Sequence, residues 1–246
     1  MKVFLVGCSF LFLAALPGAA DAQSLIAIDA ADPPFMYEAD GRPAGLYPAL
    51  IAEAYRRINI AVTITTMPWK RALDDADEGR SGIGGLYKTT SRLEKYDYSD
   101  KLFDEILQIY VRKGHGFPFA TIDDLAGRTI GVIRGWSYGD AFDDARRQGL
   151  FAAEDASGDA QNFAVLEVGH IDCILAIREA GLAVIRRRHL EERVEALTPP
   201  LSNIPTFIAF NKSAGKRDEL SRFDAALAAM RLDGSFDRIA RRALDP

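Results

Sequence analysis

Apolar and polar positions along the chain switch repeatedly between a period of two and a period near 3.6. Residues 25–28 form a short apolar run stopped by Asp32-Pro33-Pro34, which reads as a strand followed by a breaker. Gly41-Arg42-Pro43 is turn chemistry. Residues 46–57 then carry apolar side chains at 46, 47, 50, 51, 54 and 55, the stripe of a helix lying on a core. The β-branched run 62–66 predicts a strand and residues 69–77 a helix. Residues 106–111 and 128–133 predict two further strands, with Thr121-Ile122-Asp123-Asp124 between them as a capped turn. The loop Gly135-Trp136-Ser137-Tyr138-Gly139 opens a helix with Asp140, Asp143 and Asp144 in its first turns, where the helix dipole favours negative charge. Residues 171–177 are apolar almost without interruption, as expected of a strand covered on both faces. A strand over 206–210 and two helices over 217–231 and 235–244, split by Asp233-Gly234, close the chain.

Helices alternating with strands predict an α/β architecture. Two breaks, at 113–119 and 198–204, divide the chain into three parts. This predicts a first lobe built from 23–112 and completed by 204–246, with a second lobe, 113–203, inserted between. A cleft at such a junction is a usual place for a small ligand. Residues 1–22 stand apart: Lys2, an apolar stretch over 3–16, and the small-x-small site Ala20-Asp21-Ala22. A spanning helix takes about 20 apolar residues, so this segment is expected to be a cleavable export signal rather than an anchor, and the chain to be exported.

The composition is that of a globular chain, 48% hydrophobic and 26% charged, which excludes disordered and collagen-like classes. With 30 basic and 35 acidic residues the net charge is -5, so no basic surface points to nucleic acid or anionic lipid. Removal of the signal takes Cys8 with it and leaves Cys173 inside an apolar run, expected as a buried inert thiol rather than a nucleophile.

No constellation for metal or covalent chemistry is apparent. His115, His170 and His189 lack neighbours at ligand spacing. Gly82-Ile83-Gly84-Gly85 lacks the ending of a phosphate loop, and no Gly-x-Ser-x-Gly elbow occurs. No metal and no cofactor is therefore expected. Arg186-Arg187-Arg188, followed by Glu191, Glu192 and Glu195, reads as a solvated helix face. What remains is Gly84-Gly85-Leu86-Tyr87-Lys88-Thr89-Thr90-Ser91-Arg92 with Tyr96-Asp97-Tyr98-Ser99. Glycine lets a backbone approach a ligand closely, and an arginine grips a carboxylate through two parallel charge-assisted bonds.

Six segments in order carry a resemblance: Asp29 to Phe35, Gly41 to Leu46, Thr89 to Arg92 with Tyr98-Ser99, Ile122 to Val132, Gly169 to Asp172, and Leu232 to Phe236. The chain resembles the family 3 extracellular solute-binding proteins, periplasmic receptors of polar amino-acid ABC transporters. The resemblance implies a type II periplasmic binding fold, two α/β lobes joined by two crossing segments and closing on a ligand. It makes Arg92 the partner of the ligand's carboxylate, with Gly85 and Tyr87 as polar neighbours and Trp69 as the apolar wall. Ser137 and Trp136 fall in the second lobe's carboxylate loop, and Asp29 falls where some members touch the ligand's side chain. Core packing accounts equally well for Trp69 and Trp136, and a strand-end cap for Asp29. One position departs from the family: the carboxylate that receives an ammonium group usually lies five residues past the aspartate matching Asp172, and here that residue is Ile177, with Glu179 two positions on. A small carboxylate-bearing solute, an ABC permease as partner and a monomer are the expectation. The alternatives are a soluble sensing module for a signalling partner and, on the same fold, a cyclohexadienyl-dehydratase-like enzyme, for which Glu179 is the candidate acid.

Overall fold

The computed structural model describes residues 23–244; the expected export signal, 1–22, lies outside them. In chain order the elements are β1 (Ser24–Asp29), β2 (Ala31–Asp32), β3 (Met36–Ala39), β4 (Arg42–Ala44), α1 (Leu46–Arg57), β5 (Val62–Met67), α2 (Trp69–Asp77), β6 (Gly82–Tyr87), α3 (Thr90–Lys95), β7 (Tyr96–Tyr98) and β8 (Phe103–Arg112). There follow β9 (Thr129–Ile133), α4 (Asp140–Arg147), β10 (Ala152–Ala156), α5 (Asp159–Glu167), β11 (Cys173–Ile177), α6 (Arg178–Arg188), β12 (Val194–Ala196), β13 (Ser202–Asn211), α7 (Arg217–Leu232) and α8 (Ser235–Leu244).

The strands run in the order β10-β9-β11-β8-β13-β6-β1-β5, with β12 added on β8 and β7 on β13. Parallel pairing holds at the two ends, β1 with β5 and β6, and β9 with β10 and β11. The two long strands in the middle are antiparallel partners and join the ends. Residues 103–107 of β8 pair with 202–206 of β13, whereas 107–111 of β8 pair with β11. β13 continues from its pairing with β8 into pairing with β6 and β7. From their shared pairing, β8 thus runs on into the second lobe and β13 into the first. The result is two α/β lobes with a cleft between them.

Local reasons for the elements follow from side-chain spacing. All six predicted apolar positions of α1 are buried, and Glu53 pairs with Arg56 and Arg57 at 2.8 Å on its outer face. Gly45 begins this helix at φ 108, and a Cβ there would stand 2.6 Å from the Phe35 carbonyl oxygen, so a side chain is excluded twice over. In β11 the apolar run divides by alternation. Cys173, Leu175 and Ile177 enter the main core, whereas Ile174 and Ala176 enter a second cluster with Tyr110, Phe163 and Leu166. Burial pushes the Cys173 thiol up to about 12, which leaves it unionised and inert.

Several elements went unread in the sequence, among them α3, β7, β10 and β12. Residues 82–87 form β6, a fully buried strand rather than a glycine-rich passage. Residues 36–44 form the hairpin β3–β4 around Asp40-Gly41, both at positive φ; this is the two-residue turn that right-twisted strands favour. Residues 159–167 form α5. The arginine run ends α6, and Arg188 and Arg193 both pair with Glu167, at 2.8 and 2.7 Å.

Candidate functional site

A cavity between the lobes is lined by Met36, Trp69, Gly85, Tyr87, Arg92, Glu105, Trp136 and Ser137. Its volume is about 10 Å³, room for about one water. Six of the seven residues singled out in the sequence line it: Trp69, Gly85, Tyr87, Arg92, Trp136 and Ser137. They come from the first turn of α2, from β6, from α3 and from the β9–α4 loop, so they gather where strands end and helices begin. Open α/β sheets place ligands in this crevice.

Gly85 holds its place through the ladder. β6 pairs Leu86 with Phe207 and Gly84 with Ile208, so Gly85 is the extra residue of a β-bulge, at φ 79. Bulges re-aim the chain beside active sites, and this one leaves Gly85 outside the register at the cavity wall. A Cβ there would meet Met36 Cε at 2.9 Å and the Tyr47 ring at 3.1 Å.

Arg92 sits on the short helix α3, whose cap Thr89 accepts from the Arg92 backbone N–H at 3.3 Å. Its guanidinium donates to the Tyr87 carbonyl at 3.3 Å, and among the described residues no carboxylate lies within ion-pair distance. Burial lowers its pKa, and Tyr98, Asp143, Tyr96 and Asp77 act in the opposite sense through their charges. A largely desolvated guanidinium without a counter-ion is poised to accept an anion.

Trp136 reaches across from the second lobe. Its ring packs edge-on against Trp69 with centroids 6.1 Å apart, and its indole N–H donates to Asp29 Oδ2 at 3.3 Å. Asp29, the seventh predicted residue, does not line the cavity. It ends β1, accepts also from Ala31 N at 3.1 Å, and has its pKa raised by burial against the opposing pull of these donors. A second bridge between the lobes runs from Thr90, whose N–H and hydroxyl donate to Asp140 at 3.1 and 2.8 Å. Trp69 keeps its indole N–H buried without a partner.

The predicted carboxylate loop of the second lobe is occupied from within. The Ser137 hydroxyl donates to Asp143 and accepts from Gly139 N at 3.2 Å, while Tyr138 N donates to Asp143 at 3.1 Å. Asp143 therefore already supplies negative charge to the start of α4.

Two residues of the cavity were missed. Met36 arrives through the unread hairpin, and Asp40-Gly41 was the signal for it. Glu105 was hidden in the strand pattern of β8. Its side chain is 1% exposed, and Tyr47 and Tyr87 each donate a hydroxyl to it. Tyr47 in turn receives the Thr206 hydroxyl at 3.0 Å. Burial pushes the Glu105 carboxyl up to about 8, the two tyrosines pull it down, and the charge of Glu179 adds to the rise. Glu179 does not line the cavity; one of its oxygens is buried without a partner.

The profile of the bacterial extracellular solute-binding proteins, family 3, matches residues 25–245, and the chain belongs to that family. It is 25% identical over 223 residues to the L-cystine-binding protein TcyJ of Escherichia coli strain K12, covering 89% of this chain and 81% of that protein. Among solved structures, a histidine kinase sensor domain with similarity to periplasmic binding proteins superposes with TM-score 0.79 at 20% identity, covering 91% of this chain and 96% of that one. An ancestral arginine-binding protein bound to arginine gives TM-score 0.77 at 21% identity, covering 91% and 98%. These likenesses define the type II periplasmic binding fold that the sequence predicts.

Proposed function

We propose that this protein captures a small carboxylate-bearing solute in the periplasm, after cleavage of residues 1–22, and presents it as a monomer to an ABC transporter permease. The observation that carries the reading is Arg92, a largely buried cation at the cavity between the lobes without an ion-pair partner among the described residues. Trp69 and Trp136 supply apolar walls, and Gly85, Tyr87 and Ser137 supply backbone and hydroxyl groups beside the clamp. TcyJ, by its name, binds cystine, which supports an amino-acid-like solute. On this reading the lobes are residues 23–112 with 204–246, and residues 113–203.

The deciding experiment is calorimetry of Arg92→Ala with the solute identified by thermal-shift screening. A buried carboxylate that loses its partner costs about 2–5 kcal/mol of binding, a loss of about 30- to 5,000-fold in affinity. A change below threefold removes Arg92 as the clamp. No turnover of prephenate or arogenate is expected. Recovery of a sensor kinase instead of a permease in a pull-down would turn the reading toward signalling.

A further inference from the structure

The resemblance implies an ammonium-receiving carboxylate at position 177, which here is an isoleucine packed into the main core, and Glu179, two positions on, does not line the cavity. The cavity nevertheless contains an acid. Glu105 projects from β8 into the space that Arg92 also lines, and each of its oxygens accepts from a tyrosine hydroxyl. Once ionised, such a carboxylate still keeps lone pairs free on both oxygens for a further donor. Among the described residues no Lys or Arg lies within ion-pair distance of it.

Tyr87 sets the spacing between the two charges. Its backbone carbonyl receives the Arg92 guanidinium and its ring hydroxyl reaches Glu105. Tyr87 thus touches both the cation and the acid, which line one cavity and form no ion pair with each other. The surroundings sharpen the demand for positive charge. Asp32, 1% exposed, has both oxygens without a partner and is raised chiefly by burial, with Glu105, Asp159 and Asp29 adding repulsion. Trp69, on the same cavity wall, has a free buried N–H suited to the guest's anionic end.

We propose that Glu105 receives an ammonium group of the solute, so that the ligand is an amino-bearing carboxylate held between Arg92 and Glu105. The inference rests on the reading of Arg92 as the carboxylate clamp. A solute with a carboxylate alone would bring a second anion towards Glu105 and gain nothing there. The charged and titratable groups facing Glu105 are Tyr47 of α1, Tyr87 of β6, Glu179 of α6, Asp32 of β2, and Arg92 across the cavity. With the empty carboxyl raised to about 8, arrival of an ammonium group ionises it, and the proton leaves to solvent.

The test screens the common L-amino acids and L-cystine by thermal shift, each paired with its counterpart lacking the amino group, and follows the strongest by calorimetry. Expected is a loss of at least tenfold in affinity when the amino group is removed, and a similar loss in Glu105→Gln for the amino-bearing solute. The same variant should change binding of the deaminated counterpart by less than threefold. On the unaltered chain the comparison within each pair is a readout independent of how any variant folds. Equal affinity for both members of a pair or an unchanged Glu105→Gln overturns the proposal. Arg92→Ala separates the two readings: loss there with none in Glu105→Gln leaves the clamp and removes the ammonium site. No shift with any member of the panel overturns both.

Discussion

Gly85 and Glu105 meet the same neighbour, the Tyr47 ring, and both are constrained by it. Replacing Gly85 by Ala places a methyl against that ring and Met36 while holding φ at 79. The expected cost is about 1–3 kcal/mol, read as a melting point lower by about 2–4 °C per kcal/mol. Glu105 has the opposite sign at alkaline pH. Its folded value, about 8, lies above the ordinary glutamate value of 4.5, so the fold favours the protonated form. That contribution is fully present below about 4.5 and is lost as pH rises through about 8. Glu105→Gln without ligand should therefore melt higher than the parent at pH 9, with the gap closing towards pH 5. A constant gap across that range, measured by scanning calorimetry, would show that burial of the carboxyl does not govern its titration.

Among the elements, α3 and α4 touch across the cleft through Thr90 and Asp140. An exposed bridge of this kind contributes about 1 kcal/mol, so Asp140→Ala should shift the balance of closed and open forms about fivefold towards open. Distance distributions between spin labels on the two lobes would register the shift. Elements with a clean period were legible in the sequence: the stripe of α1, the capping of the turn at 121–124, and the run of β11. Burial of α1 and β11 follows from spacing alone. β6 was not, because its Gly82 and Gly84 leave room for Phe210 and Ile51 to lie on the backbone, and glycine weakens every strand signal. Glu105 was illegible for a related reason. Asp104-Glu105 looks like the wet end of a strand, and only the remote hydroxyls of Tyr47 and Tyr87 make burial of one of the two tolerable. Arg92 stood out through its motif, yet its lack of a counter-ion required coordinates.

In the whole molecule the raised carboxyls act together. Asp159 is pushed up to about 7 and Asp224 to about 6, in both cases chiefly by burial, and Asp32 and Asp29 are raised as well. Each contributes stability at acidic pH that is lost as pH rises through its folded value. The unliganded protein is therefore expected to lose stability steadily from about pH 4 to pH 8, and a bound amino-bearing solute to restore it; denaturant titrations across that range measure both. The contact of Trp136 with Trp69 and Asp29 has a kinetic corollary. With those side chains meeting across the mouth, diffusion alone cannot deliver a solute to Arg92, and the lobes must part first. Uptake rates should then stop rising at high solute concentration and level off at the frequency with which the indole swings aside, making that single tryptophan the timekeeper of capture.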